Sequence, residues 1–360
     1  MNYLPIQCKS HYSLLRSTNR ATDLLTFAKL NKLPALAVTD YGNISGCVDF
    51  VKTFKDSGTK TILGTTLYIC PLDSQIKTNE NSSYGYLTLL AKNLAGWKEL
   101  IKITSYANHP TRWYNQPRLS LIELSLFSLN NLICITGGVG SILANSVIQD
   151  KVVAYNTSDT GVANGQILDD EQTYSTLLTL LKDYFGDDLY LESQLNDVLV
   201  RPIQNALHNL WLDSGVKLAA SSNAHYIEPQ DCYDQRILLC SNMKSTFADV
   251  NNKVANFDDC NYSAFFLSDK YSLNQDLPNS ADELKNTYEI AEKCETYSIL
   301  NKPILPPFNC PNGLSEEEYL RQICRDGWTR KIAKKIPKAQ QGVYVDRIKS
   351  ELDILQGAGL

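Results

Sequence analysis

The sequence predicts an α/β chain built around a closed or nearly closed parallel barrel, followed by a mostly helical segment. Three observations predict this. The 360 residues are 43% hydrophobic, enough for one barrel-sized core with an appendage. Seven short apolar runs alternate with stretches of helical periodicity, which is the pattern of repeated βα units. Most of those runs are apolar throughout rather than alternating, as strands covered on both faces are. A doubly wound open sheet answers to the same pattern and stands as the alternative.

In chain order, Leu4 to Cys8 reads as the first strand and Lys9 to Ser13 as the loop after it. Leu24, Phe27 and Ala28 stand at three- and four-residue spacing, so Thr22 to Lys32 is an amphipathic helix. It feeds the strand Ala35-Leu36-Ala37-Val38, which ends on Thr39-Asp40-Tyr41-Gly42-Asn43. Val48 to Lys55 is a helix, and Thr61 to Ile69 supplies the next strand. Pro71 to Ser83 is a polar link without periodicity. Tyr86 to Leu90 is a strand, Ala95 to Tyr106 a helix, and Leu132 to Thr136 a strand closing on Gly137-Gly138.

Gln149 to Asp170 is polar and reads as an exposed excursion. Helices at Tyr174 to Tyr184 and Val198 to Leu212 then alternate with strands at Leu189 to Glu192 and Lys217 to Ser222. Beyond His225 the apolar residues thin out, leaving a strand-like Phe265-Phe266-Leu267 and a helix from Ala281 to Cys294. Pro303, Pro306, Pro307 and Pro311 mark a linker that is not helical. Ser315 with Glu318 is a capping-box pattern opening a helix through Lys335, and Val343 to Gln356 is the last helix. The expected division is 1–240 for the barrel, 241–312 for a connecting region and 313–360 for a helical region. The last helix stops at Gly357-Ala358-Gly359 with no terminal element, so the chain is expected to continue.

A formal charge of −5 gives no general basic surface for nucleic acid, and the one dense basic run, Lys331 to Lys338, reads as a solvated helix face. No apolar run approaches membrane-spanning length and no charged-then-apolar leader stands at Met1, so a cytoplasmic protein with no membrane association is expected. The ten cysteines form no C-x-x-C pair and read as free thiols.

Sites in such folds collect where strands end at the carboxyl edge of the sheet. Of the four histidines, His208 lies inside a helical pattern and His109 precedes Pro110 in a loop. His225, Asp40 and Glu192 are then the best candidate cluster at the barrel mouth, either as metal ligands or as a hydrogen-bonded network. Phosphate-loop and dinucleotide fingerprints are missing, and Ser13 and Ser141 have no histidine at readable spacing.

Ser10-His11-Tyr12-Ser13-Leu14-Leu15, Pro34 to Asn43, Leu87 to Asn93 and Ala224-His225-Tyr226 resemble the amino-terminal polymerase-and-histidinol-phosphatase (PHP) domain of bacterial DNA polymerase III alpha subunits. Leu284 to Cys294 and Tyr344 to Leu360 resemble the segment leading into the polymerase palm. The resemblance implies a distorted seven-stranded βα barrel, in agreement with the strand count. As partners it implies the rest of a polymerase chain, a proofreading exonuclease, a sliding clamp, and DNA reached through downstream regions. No catalytic residue or cofactor is implied within this segment, and magnesium is expected only for the palm, whose carboxylates lie outside this sequence.

The resemblance also implies ligand positions that this chain does not fill. The alternating first-strand histidines are replaced by Pro5, Gln7 and Lys9, and an aspartate by Arg16. Tyr41 and Tyr86 stand for histidines, Thr66 for a glutamate, Gly138 for a cysteine and Asn223 for an aspartate, leaving His225 alone. Lys9 and Arg16 bring positive charge where divalent cations would bind. No trinuclear metal site is therefore expected, and Lys9 and Arg16 are expected to pair with Asp40 or Glu192. The expected role is scaffold and protein docking. The alternatives are a stand-alone phosphoesterase using His225, Asp40 and Glu192, and a structural paralogue without a palm.

Overall fold

The strand Ala35–Tyr41 (β1) is fully buried from Ala35 through Asp40, as a strand covered on both faces must be. The helix before it, Ala21–Leu30 (α1), turns Leu24, Phe27 and Ala28 inward, the period expected of one apolar stripe. The computed structural model describes residues 3–79, 81–82, 85–138, 140–147, 171–193, 201–253, 280–301, 306 and 308–358. The expected excursion from Gln149 to Asp170 and the piece Phe265-Phe266-Leu267 lie outside the described residues.

After β1 come Gly46–Phe54 (α2), Lys60–Ile69 (β2), Gly85–Ala91 (β3), Leu94–Ala107 (α3), Arg118–Leu119 (β4), Leu121–Leu124 (α4), Leu132–Thr136 (β5) and Ile142–Val147 (α5). Glu171–Phe185 (α6), Leu189–Ser193 (β6), Arg201–Asp213 (α7), Lys217–Ala220 (β7), Cys232–Met243 (α8), Phe247–Lys253 (α9) and Ser280–Lys293 (α10) follow. One sheet runs β1-β2-β3-β5-β6-β7, with β4 paired to β2.

The sheet is mixed, not wholly parallel. β1 with β2, β5 with β6 and β6 with β7 are parallel, whereas β3 runs antiparallel to both β2 and β5. The reason lies in the link after β2: without a crossover helix the chain cannot return to start a parallel neighbour, so it comes back in the opposite sense. Arg118, 1% exposed, organises that link by donating to the carbonyls of Asn81, Ser74 and Ile76.

The expected first strand is the other correction. Residues 4–8 make only an isolated bridge, Cys8 to Ala224. They still stitch the two sheet edges together. Ala37 N donates to Pro5 O at 3.0 Å and Thr39 N to Cys8 O at 2.8 Å on one side, while Lys9 N donates to Ala224 O at 2.8 Å and Ala224 N to Gln7 O at 2.9 Å on the other. The strip between β1 and the segment after β7 curls the sheet into a nearly closed barrel.

One compact unit spans Met1–Leu300. Within it α10 reaches the amino-terminal ends of the strands: Leu4 N donates to Thr287 Oγ1 at 3.1 Å, Lys60 Nζ to Ala291 O at 2.9 Å, and Asn286 Nδ2 to Leu218 O at 2.7 Å. It closes the barrel floor. The second unit, Asn301–Leu360, holds Glu316–Gly327 (α11) and Gln341–Gly357 (α12). Ser315 and Glu318 form the expected capping box, but α11 ends at Gly327 in a π-helical turn, Trp328–Ile332, instead of continuing to Lys335. Neither helix buries a residue within this unit. Among the described residues no helix is long and apolar enough to cross a membrane, and the described cysteines are free thiols.

Candidate functional site at the barrel mouth

Strand alternation decides which side chains reach the barrel interior. On the first strip Gln7 and Lys9 point inward; on β1 Thr39 and Tyr41 do, on β2 Thr66 and Tyr68, and on β3 Tyr86 and Thr88. Lys9, 0% exposed, extends its ammonium to Thr39 O at 2.7 Å, Thr39 Oγ1 at 3.2 Å and Thr66 Oγ1 at 2.5 Å. Those three acceptors use all three of its protons. The chain of hydroxyls continues inward: Thr66 and Thr88 share a 2.8 Å bond, and Thr88 Oγ1 donates to Gln7 Oε1 at 3.0 Å.

Above Lys9 lies an aromatic layer. The Lys9 ammonium sits 4.5 Å from the Tyr41 ring centroid, and the Arg16 guanidinium sits 4.7 Å from Tyr41 and 5.9 Å from Tyr68. Arg16 Nη1 also donates to Tyr86 OH at 3.3 Å. The three tyrosine rings pack with centroids 5.3 to 6.2 Å apart. Such contacts favour a cation over the ring faces.

His225 closes the group. Its Nδ1 donates to Asn223 O at 2.6 Å, which leaves Nε2 to accept from Tyr41 OH at 3.4 Å. Asn223 Nδ2 reaches the same hydroxyl at 3.4 Å. Asn223 holds a left-handed backbone with φ 44°, a conformation Asn tolerates better than most residues. The remaining two positions carry no side-chain chemistry: Pro5 and Gly138 contribute backbone carbonyls, to Ala37 N and Ser141 N.

The electrostatics follow from burial. Desolvation, against the pull of Asp40 and Glu192, lowers the Lys9 pKa to about 7. Desolvation together with Lys9 and Arg16 lowers the His225 pKa to about 3, so the imidazole is neutral near pH 7. Burial works against the Arg16 charge, but the surrounding tyrosine hydroxyls outweigh it and raise its pKa. Arg16 is the fixed cation of the site.

Asp40, expected beside His225 and Glu192, is held by other partners. Asp40 alternates with Thr39 and Tyr41 and so faces the other side of β1. There its carboxylate accepts from Ser10 N at 2.7 Å, Ser10 Oγ at 2.7 Å and Ser13 Oγ at 2.6 Å. Gly46, at the start of α2, lets this pocket form, because a Cβ there would lie 2.6 Å from Asp40 Oδ2. The expected pairing of Lys9 and Arg16 with Asp40 or Glu192 gives way to hydroxyl, carbonyl and ring contacts. Glu192 is buried on β6 and acts on Lys9 and Tyr41 through its charge. Among the described residues no group of three or more His, Cys, Asp or Glu is arranged to hold a metal ion.

Sequence reading missed Tyr68, Thr39 and Thr88 as members of the site. Their signal was present: each lies two residues from a position already singled out, or opposite one in the register, as Thr66 lies opposite Thr88.

The family model described as PHP domain matches residues 6–196, more than half of the chain. The chain belongs to the PHP-domain family. Over 99% of its length it is 27% identical to DNA polymerase III subunit alpha of Borreliella burgdorferi and 27% identical to that of Aquifex aeolicus. The subunit of Chlamydia trachomatis matches at 26% identity over the whole chain. This chain spans only about 30% of the length of these relatives. Among solved structures, a protein described as a putative metal-dependent phosphoesterase from Bifidobacterium adolescentis is similar over 62% of this chain and 87% of its own, at 12% identity and a TM-score of 0.37. The PHP match takes in β1 through β6 and with them every inward residue of the site up to Glu192.

Proposed function

We propose that this chain is the amino-terminal portion of a DNA polymerase III alpha-type protein, and that its PHP barrel is a scaffold and docking module. The similarity to DNA polymerase III alpha subunits over nearly the whole chain supports the polymerase assignment. One observation carries the assignment of the barrel: a lysine occupies its centre and spends all its protons on Thr39 and Thr66. A divalent cluster needs imidazole and carboxylate donors converging on it. Here Lys9, Arg16 and a ring of tyrosines fill that volume, so the donor set does not fit a transition-metal cluster, and no hydrolytic step is derived for it.

On this reading the nucleotidyl transfer belongs to palm carboxylates beyond residue 360, where magnesium would neutralise the incoming triphosphate. The partners are the rest of the polymerase chain, a proofreading exonuclease docked on the barrel, a sliding clamp, and DNA. A stand-alone phosphoesterase would need Asp40 in the cluster, and Asp40 is committed to Ser10 and Ser13. The test is template-directed nucleotide incorporation by the full-length native protein, beside manganese-dependent hydrolysis of a phosphodiester. Incorporation without hydrolysis is expected. Hydrolysis that disappears in His225→Ala, with no incorporation, overturns the reading.

A further inference from the structure

Between Arg325 and Lys338 the chain carries Arg325, Arg330, Lys331, Lys334, Lys335 and Lys338 against the single carboxylate Asp326. This concentration stands in a protein whose net charge is −5. All six basic residues are exposed, and none forms an ion pair with a described residue. Elsewhere in the same unit cations are paired: Arg321 with Glu317 at 3.0 Å, and Arg347 with Glu351. A solvated helix face ordinarily interleaves both signs; this one does not.

The segment is also held in a fixed shape. Gln341 Nε2 donates to both Ala333 O at 2.9 Å and Ile336 O at 3.0 Å, clamping the turn that presents Lys334 and Lys335. The π-helical turn Trp328–Ile332 precedes it, and Trp328, Ile332 and Ile336 are half-buried while the basic residues between them are exposed. Single π turns recur at functional sites. A preformed row of unpaired cations loses little freedom on meeting a regular row of anions, and the phosphate backbone of DNA supplies such a row.

We infer that the segment 325–338 is a contact for the phosphate backbone of duplex DNA. The choice of DNA over another polyanion rests on the polymerase reading above. The contact is sequence-independent, because lysines on a turn read charge and not base edges.

The test is duplex DNA binding by the full-length protein, measured by fluorescence anisotropy across a salt series, for the native sequence and for Lys331→Gln/Lys334→Gln/Lys335→Gln/Lys338→Gln. Loss of four phosphate contacts lowers the slope of log affinity against log salt by about three to four and weakens binding at least about tenfold near physiological salt. Thermal melting is expected to be unchanged. If the fourfold variant melts early, Arg330→Gln/Lys338→Gln is measured instead, with a slope change of about two. Unchanged affinity and slope overturn the inference, as does binding to anionic phospholipid vesicles that is lost in the variant while DNA binding persists. Nucleotide incorporation separates the two proposals. A native protein that binds duplex through these lysines but synthesises nothing ends the polymerase reading alone, whereas one that synthesises DNA with unaltered binding in the variant ends the contact alone.

Discussion

Lys9 is the residue on which the barrel interior depends. Its folded pKa of about 7 lies below the ordinary lysine value, so between about pH 7 and about pH 10 the unfolded chain holds a proton that the folded chain has released. Stability from this residue is complete above that window and is lost as pH falls through it. Other buried groups oppose the trend at high pH: burial raises the Cys8 thiol to about 12, which removes stability as pH climbs past the ordinary thiol range. The clean measurement is therefore a difference. Urea unfolding of the native protein and of Lys9→Met, at about pH 7 and about pH 8.5, is expected to show the native protein gaining about 2 kcal/mol on the variant over that interval. Parallel curves would mean that Lys9 does not titrate there. The residue types at the lost-ligand positions were legible in the sequence, and so was the positive charge. The partners were not, because nothing in a linear reading shows that Asp40 turns to Ser10 and Ser13 while Thr39 and Tyr41 turn to Lys9.

Among the elements, α10 matters most after the strands. It closes the floor through Leu4, Lys60 and Leu218, and it is fastened to α7 by His208 Nε2 and Glu283 Oε1 at 2.5 Å. Both side chains are buried, at 3% and 1% exposed. Removing one member of such a pair leaves the other polar and buried, which costs about 3 to 5 kcal/mol. His208→Ala is expected to lose about that much by chemical unfolding. His208→Ala/Glu283→Ala is expected to lose much less than the sum of the single changes; strict additivity would show that the pair is not coupled. The helices around the barrel from α1 to α3, with α6, α7 and α10, were legible to within a few residues because their apolar period is local, whereas α8 and α9 were not expected and α11 ends eight residues before the expected Lys335. The direction of β3 was not read from its own residues, which suit either sense, although the helix-free link before it carried the information. The tie of α10 to the barrel was hidden for a related reason: its contacts join residues far apart in the chain, such as Leu4 and Thr287, 283 positions apart.

At the scale of the molecule, charge is distributed unevenly. The barrel mouth holds one fixed cation and one lysine that titrates near neutrality, while the strongest basic segment lies in the second unit. This division suits the two proposals, a barrel kept for its shape and, in the second unit, a contact for DNA. On the proposed reading, Lys9 and Arg16 stand where a metal-binding barrel would hold its cations. The most direct measurement is transition-metal content per chain, by mass spectrometry of the full-length protein purified with manganese and zinc present and then dialysed. Less than one metal per chain is expected, with Lys9→Met and His225→Ala unchanged from the native protein. Two or more metals per chain, lost in His225→Ala, would contradict the account.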